Sequence, residues 1–461
     1  YSNLDISQNN ISDPYLSFKP ASFSDFSNNF GDLVDIRDVG SGVRLARFTN
    51  GFQIQNSLEI LRERLTQQTD NVGTNPLGES RPIDGVKTEI GYGGTQHKAI
   101  TSSPFGHFWV DAKRGQVFQI SSNGSSFSEI SSQSTQGSTN TRKWFKKHLP
   151  FKIKQGVIGL TEEAMDNSFN GLGISMGWDD VHRRLFLTKL DYKVKEGRSI
   201  TYRGKEDETF ATGFYDTLTN ERVFLEDKRV FENCSWTIAY SPVFNRWISF
   251  YDFIPNYYIS LPNHFKTGVK NGIWAHLLTN KSYQVFYGKK YPFEVEFPSV
   301  NKFNNKYFQS LSYKLIARRY TNDVDYHVNN QIGFDTVMIY NDTQSSGLGK
   351  IIKETKNDMF QACRQPKFNK DSFNIVATST DGFWSLNNFW NNVKDECNGI
   401  PIFNHDCNEI EKIPNQKAMN FEPTWKDRLR GDWFLIRLSY IKDTRYKIIF
   451  KWANIKATYY A

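Results

Sequence analysis

Phe105-Gly-His-Phe-Trp-Val-Asp-Ala-Lys-Arg-Gly-Gln-Val-Phe-Gln-Ile-Ser121 reads as strand, tight turn, strand. His107-Phe-Trp-Val runs into a turn at Asp111-Ala-Lys-Arg-Gly115, and Gln116-Val-Phe-Gln-Ile then alternates polar and apolar as a half-buried strand does. Asp suits such a turn because its carboxylate accepts from nearby backbone N–H groups, and Gly115 tolerates positive φ. The pattern returns three times. Gly173–Leu190 carries it with Asp179-Asp180 in the turn, Thr237–Phe250 with Asn245-Arg246, and Ile273–Phe286 with Asn280-Lys281. Each time an aromatic-rich strand meets a turn of Asp or Asn near a base, then a second aromatic strand.

Repeated hairpins without helical crossovers predict an all-β chain. The leading architecture is an incomplete β-propeller of aromatic-rich hairpins over 31–298; the alternative is an ordinary sandwich or barrel. The spacing is irregular: 68 residues from Asp111 to Asp179, 66 from Asp179 to Asn245, 35 from Asn245 to Asn280. Propeller blades recur at about 40–50 residues, so these blades would carry insertions. After the polar break Asn301-Lys-Phe-Asn-Asn-Lys306 the strands lengthen: Tyr307–Ile316, Thr336–Tyr340 and Phe373–Thr378. Trp433–Tyr440 and Tyr446–Trp452, linked by Ile441-Lys-Asp-Thr-Arg445, read as a closing hairpin. Residues 299–461 are therefore expected to form a C-terminal antiparallel β-sandwich or barrel.

The composition agrees. Of 461 residues, 37 are Phe, 22 Tyr and 11 Trp, and aromatic side chains favour strands and large buried areas. No apolar run reaches the ~18 residues of a membrane-spanning helix. The net charge of +8 with 49 acidic residues describes a mixed surface with a basic bias, compatible with a polyanionic partner. Four sparse cysteines, Cys234, Cys363, Cys397 and Cys407, do not make a disulfide scaffold.

At the start of the chain, 1–30 is rich in Ser, Asn and Asp with interspersed aromatics and reads as an extended arm whose aromatics dock. Leu33–Ile36 and Val43–Phe48 flank Gly40-Ser-Gly42 as a hairpin, and Phe52-Gln-Ile54 follows the Asn50-Gly51 turn as a third strand. The expectation is that these strands lack partners nearby. An upstream fragment of the same polypeptide, left bound after a cleavage before Tyr1, would then supply the missing blades. Leu58, Leu61 and Leu65 behind Ser57 predict a short helix over 58–68. Gly91-Tyr-Gly-Gly94 lacks the spacing of a phosphate loop. The Ser/Thr/Gly/Asn tract 121–141 reads as a mobile loop.

The most basic stretch is Arg142-Lys-Trp-Phe-Lys-Lys-His-Leu-Pro-Phe-Lys-Ile-Lys154. Arg142, Lys143, Lys146, Lys147, Lys152 and Lys154 are the candidate contact to DNA, membrane or an acidic partner. The plainer expectation is a short helix that buries Trp144, Phe145 and Leu149 and leaves its lysines solvated. The adjacent carboxylates do not form catalytic groupings. Asp179-Asp180 and Glu162-Glu163 are adjacent, and adjacent side chains on a strand face opposite ways, so neither pair is an acid/base couple. Ser379-Thr-Asp-Gly-Phe-Trp384 departs from a sialidase Asp-box by placing Gly directly after Asp and reads as a plain turn before a buried Trp. Cys397, His405 and Cys407 are three potential zinc ligands without a second Cys-x-x-Cys pair. A Cys397–Cys407 disulfide is an open alternative. No catalytic, cofactor or metal residue is assigned.

Three stretches carry a resemblance: Glu89-Ile-Gly-Tyr-Gly-Gly-Thr-Gln-His97, Phe108–Phe118 and Trp247-Ile-Ser-Phe-Tyr-Asp-Phe-Ile-Pro-Asn-Tyr-Tyr258. Together, over roughly 30–300, they resemble the muzzle proteins of crAss-like short-tailed bacteriophages, which are akin to podovirus tail nozzles. The resemblance implies β-propeller and β-barrel domains in a homo-oligomeric ring around the tail channel of the virion, assembled in the host bacterial cytoplasm. It implies a structural role: closing and opening the exit for genomic DNA, contacting other tail proteins, and carrying host attachment, including to a surface glycan. It supplies no catalytic residues. A carbohydrate-binding or glycan-cleaving propeller is the competing expectation.

Overall fold

The computed structural model describes residues 26–40, 43–56, 80–81, 91–122, 124, 126–132, 140–204, 211–262, 264–269, 272–276, 282–300, 306–321, 325–341, 343–353, 368–369, 372–387, 389–391, 400–403, 409–413 and 428–459. They are nearly all β, and the chain divides into two compact units, 1–276 and 277–461. The expected division at 298/299 separates Phe293–Val300 from its partner strand, Trp433–Tyr440, so the division falls earlier.

The first unit is a series of small antiparallel sheets. Sheet I is a meander of β1 (Leu33–Gly40), β2 (Val43–Phe48), β3 (Gly51–Asn56) and β4 (Ser80–Arg81). The strands expected to lack partners thus pair with each other and with 80–81. Sheet II repeats the meander with β5 (Ile100–Ser103), β6 (Gly106–Asp111), β7 (Gln116–Ile120) and β8 (Phe127–Glu129). Its last strand lies in the tract expected to be mobile. The reason is Phe127, whose ring packs on Phe52, Trp109 and Phe118 and anchors an otherwise polar segment. Helix α1 (Asn140–His148) follows, then β9 (Val157–Ile158) and the four-residue α2 (Glu162–Met165).

Sheet III begins with the hairpin β10 (Gly173–Asp179) and β11 (Arg184–Leu190). An insertion then adds β12 (Tyr192–Val194), β13 (Ile200–Arg203), β14 (Gly213–Asp216), β15 (Arg222–Val223) and β16 (Phe231–Asn233) in two small sheets, one of them including β9. The chain returns to sheet III with β17 (Trp236–Ser241) and β18 (Arg246–Tyr251), in the order β10-β11-β17-β18. Sheet IV is β19 (Tyr257–Leu261), β20 (His264–Val269) and β21 (Gly272–His276).

These sheets stack in chain order because strand alternation gives sheets II and III two apolar faces each. On sheet II, Trp109 and Phe118 are cross-strand partners and share a cluster with Leu45, Phe52 and Ile54 of sheet I. Phe108, Val110 and Val117 point the other way, into the cluster that holds Trp178, Leu187 and Tyr240 of sheet III. The far face of sheet III puts Phe186 on Tyr258 and Phe265 of sheet IV. A Cβ on Gly177 would lie 2.5 Å from Tyr258 side-chain atoms, so the close approach of sheets III and IV there needs glycine.

The turns share one grammar. Asp111 and Asp179, each the last residue of its strand and fully buried, accept from the backbone N–H groups of Arg114 (3.0 Å) and His182 (3.3 Å). In the third hairpin Ser241 takes this place, accepting from Phe244 N. Asn245 is instead the positive-φ residue, at φ 50°, matching Gly115 at 69° and Arg183 at 50°. The arms of the fourth expected hairpin pair elsewhere, and its Asn280-Lys281 turn lies outside the described residues. Ile273-Trp-Ala-His276 is the second arm of β20–β21, and β22 (Val285–Phe286) pairs instead with β23 (Lys289–Lys290).

The second unit is one curled, half-barrel sheet of eleven strands. Its strands are β24 (Phe293–Val300), β25 (Lys306–Tyr320), β26 (Tyr326–Val328), β27 (Thr336–Tyr340), β28 (Gly349–Lys353), β29 (Phe368–Asn369), β30 (Ser372–Thr380) and β31 (Phe383–Asn387). A separate pair, β32 (Ile400–Phe403) and β33 (Glu409–Ile413), precedes β34 (Arg430–Gly431), β35 (Trp433–Tyr440) and β36 (Lys447–Tyr459). The main path runs β24-β35-β27-β28-β30-β31-β25, with β36 on the other side of β25. The sheet is mixed, because β28 and β30 run parallel. The expected closing hairpin is overturned: β35 pairs with β24 and β27, while β36 pairs along β25. Alternation explains the choice. Phe434, Ile436, Leu438 and Tyr440 all enter the core from β35, which needs apolar neighbours on both sides. Asp381-Gly382, at φ 50° and 77°, form the plain β30–β31 turn expected from sequence, ahead of the buried Trp384.

Candidate polyanion-contact surfaces

Helix α1 follows from its sequence. It has no acidic residue in its first turn and ends on Lys146, Lys147 and His148, where positive charge suits the C-terminal end of the helix dipole. Phe145 and Leu149 are fully buried and Trp144 is half-buried. Trp144 packs edge-on against Trp236 (4.9 Å) and Phe250 (5.2 Å), and Phe145 lies 4.6 Å from Trp247. Helix and turn of sheet II meet closely: a Cβ on Gly115 would be 2.5 Å from Lys146 Cα.

A buried ion pair clamps the end of this helix. Lys189 Nζ, 1% exposed, donates to His148 O and Pro150 O (each 2.8 Å) and to Asp191 Oδ2 (2.6 Å). Asp191, fully buried, also accepts from Lys152 N (2.8 Å) and Ile153 N (3.3 Å). One lysine therefore caps the helix carbonyls, and its partner carboxylate holds the next turn. Burial lowers the Lys189 pKa, against the opposing pull of Asp191.

The predicted contact residues separate into two groups. Arg142, Lys143, Lys146 and Lys147 are exposed on the outer side of α1, with Arg142 4.0 Å from Glu129. Lys152 and Lys154 lie beyond the helix, and Lys154 is paired to Glu162. The favoured expectation, buried aromatics with solvated lysines, is met for Phe145 and Leu149 and half met for Trp144.

A second basic surface escaped the sequence reading. On the outer face of the half-barrel, Lys314 Nζ sits 4.1 Å from the centre of the Phe383 ring and Arg318 4.3 Å from that of Tyr326. Phe383 lies 5.7 Å from Trp452, and both rings are more than two-fifths exposed. Lys447, Lys451 and Lys456 of β36 are exposed beside them. Exposed aromatics interleaved with cations suit nucleic acid or another planar polyanion. These residues come from strands far apart in sequence. The only local sign was the basic-out, apolar-in alternation of Tyr313-Lys-Leu-Ile-Ala-Arg318.

The other candidates are engaged in the fold. Asp179 Oδ2 accepts from Arg184 Nε (2.8 Å) and lies 3.2 Å from His182 Nδ1. Although burial pushes the Asp179 pKa up, the bonds and charges of His182 and Arg184 bring it below the usual carboxylate value. Asp180 accepts from Trp178 Nε1. Glu162 and Glu163 stand in the first turn of α2, not on a strand, behind the Thr161 cap. The Gly91–Gly94 loop is packing: Trp109 Nε1 donates to Gly93 O (2.9 Å), and a Cβ on Gly93 would strike Phe52 at 2.4 Å. Ser102 Oγ is 2.7 Å from His107 Nδ1, and His107 Nε2 lies 2.9 Å from Val39 O, a bond between sheets I and II. Burial lowers the His107 pKa.

Cys397, His405 and Cys407, the 58–68 helix and arm residues 1–25 lie outside the described residues. Of the arm, Phe26 and Phe30 dock on Phe48 at 5.0 and 5.6 Å. Among the described residues no cluster of His, Cys, Asp and Glu could hold a metal ion, and no helix is long and apolar enough to cross a membrane. No protein-family model matches the chain, and neither does any curated protein.

Proposed function

We propose that this chain is a structural virion protein of a short-tailed bacteriophage tail tip, one subunit of a ring around the DNA exit channel. The observation that carries the reading is where the resembling stretches fall. Tyr92 and Gly93 pack between sheets I and II, Trp109 and Phe118 fill the same seam, Trp247 packs on Phe145 at one face of sheet III, and Phe253 and Tyr258 meet Phe186 at the other. Their chemistry is used to stack small antiparallel sheets in series. Such a stack suits the blades of a β-propeller, and the insertion β12–β16 fills the interval between Asp179 and Asn245, whose two hairpins share sheet III.

In this reading the half-barrel is the second ring-forming element, and the basic surfaces face polyanions: passing genomic DNA without sequence preference, or an acidic host glycan. Further copies of the chain and other tail proteins complete the assembly. Immunogold labelling of phage particles with antibodies to the chain tests the proposal. Gold at the free end of short tails is the expected result. Labelling of the capsid alone, or of no particle, overturns it.

A further inference from the structure

The half-barrel ends in two long edges of opposite charge. Among the described residues β24 pairs only with β35, and β36 only with β25. β24 turns Phe293, Val295 and Phe297 inward and exposes Glu294 and Glu296; β36 turns Ile448, Phe450 and Ile455 inward and exposes Lys447, Lys451 and Lys456. Inward residues of the central strands, Val337, Leu386, Ile436 and Leu438, are fully buried, whereas those of β24 and β36 are only half-buried. The inward rings of the two rims meet across the core, Phe297 of β24 lying 5.9 Å from Phe450 of β36, while the backbone edges of both strands stay unpaired among the described residues. Free edges of this kind are templates for another strand.

Direction and charge select the partner. From β24 to β36 the path makes six antiparallel steps and one parallel step, so the two edge strands run the same way. A contact between like edges would set β24 on β24, or β36 on β36, with carboxylates against carboxylates or lysines against lysines. A head-to-tail contact sets β36 of one copy beside β24 of the next, in parallel, with lysines beside carboxylates, and repetition of such a contact can close a ring. Pro298 removes a backbone donor near the end of β24, which limits pairing to the part carrying the glutamates. The geometry points to head-to-tail assembly of this chain through parallel pairing of β36 with β24 of a second copy. This rests on the ring reading and names its contact surface.

Charge-swap complementation of the full chain, followed by sedimentation velocity and native mass spectrometry, tests it. Glu294→Lys is the acidic-edge variant, because Glu296 is already held by Arg437 Nε (2.6 Å) and Tyr340 Oη (3.0 Å). Lys451→Glu with Lys456→Glu is the basic-edge variant. Each alone should lower the assembled fraction about tenfold. An equimolar mixture should regain it, because each variant then presents the complement of the other; two misfolded variants could not rescue one another. Assembly unaffected by either variant, or no rescue on mixing, overturns the edge pairing while leaving the ring reading intact. A wild-type chain that stays monomeric at every concentration overturns both.

Discussion

The two units solve the same problem, burying aromatic strands, in different ways. The first cuts them into small sheets and presses the sheets together, so most strands have partners across both faces. Charged and polar groups then lie inside the seams: Lys189 with Asp191, Arg47 with Asp35 at 2.6 Å, and Asp179 with Arg184. The second keeps one main sheet around an apolar core; its described ion pairs lie near its surface, and the one buried carboxylate among them, Asp335, accepts from Ile441 N (2.7 Å) and Lys442 N (3.0 Å) at the end of β35. Serial sheets need polar locks to fix their relative placement. A single sheet carries most of its order in the hydrogen-bond ladder and relies on fewer such locks, but keeps two edges.

The largest test of this contrast is Lys189→Ala. It leaves a buried Asp191 and two helix-end carbonyls without their cation, and should cost about 3–5 kcal/mol. Urea unfolding should show the loss in the first unit, with the half-barrel transition unmoved. A loss under 1 kcal/mol would mean the clamp is not what holds α1.

Acid should act on the seam between sheets III and IV. His276 Nε2 is 2.6 Å from Thr267 Oγ1, and its ring packs on Phe253 and Phe265. Burial lowers its pKa from 6.5 to about 4, with Arg184 adding to the shift. The unfolded chain therefore binds this proton first. The stabilisation is complete above pH 6.5 and is lost as pH falls toward 4. The change is about 2–3 kcal/mol. Melting temperatures across that window should fall for the wild type and much less for His276→Phe; equal slopes would remove His276 as the cause.

The turn grammar predicts a smaller effect. Asp111→Ala removes the acceptor for Arg114 N and the partner of Arg114 Nη1 (2.8 Å), and should cost about 1–2 kcal/mol. An unchanged melting temperature accompanied by loss of an enzymatic activity would overturn the structural assignment of this turn. Smallest of all, Lys143→Ala, Lys146→Ala and Lys147→Ala together should change stability by no more than about 0.5 kcal/mol. They should flatten the salt dependence of binding to DNA or heparin. A large loss of stability would show that these lysines brace the helix instead of facing solvent.

Much of this is written locally. Alternating aromatics at 105–121, 173–190 and 237–250, each closed by an acceptor and a left-handed position, specify hairpins from within about eighteen residues, because alternation and turn chemistry are short-range properties. The same holds for the amphipathic α1 and the plain Asp381-Gly382 turn. The pairing of β35 with β24 and β27, the distribution of Phe127, Trp109 and Phe118 over one seam, and the meeting of Lys314, Phe383 and Trp452 were beyond local reading. Any apolar face satisfies the alternation rule, and the partner that buries it is chosen by shape, register and the neighbours already in place. Sequence by itself therefore determined the all-β class, the hairpins and the short basic helix. Tertiary structure alone decided which faces met, which edges stayed open and which distant charges came together, because those choices depend on packing between residues that the chain order does not make neighbours.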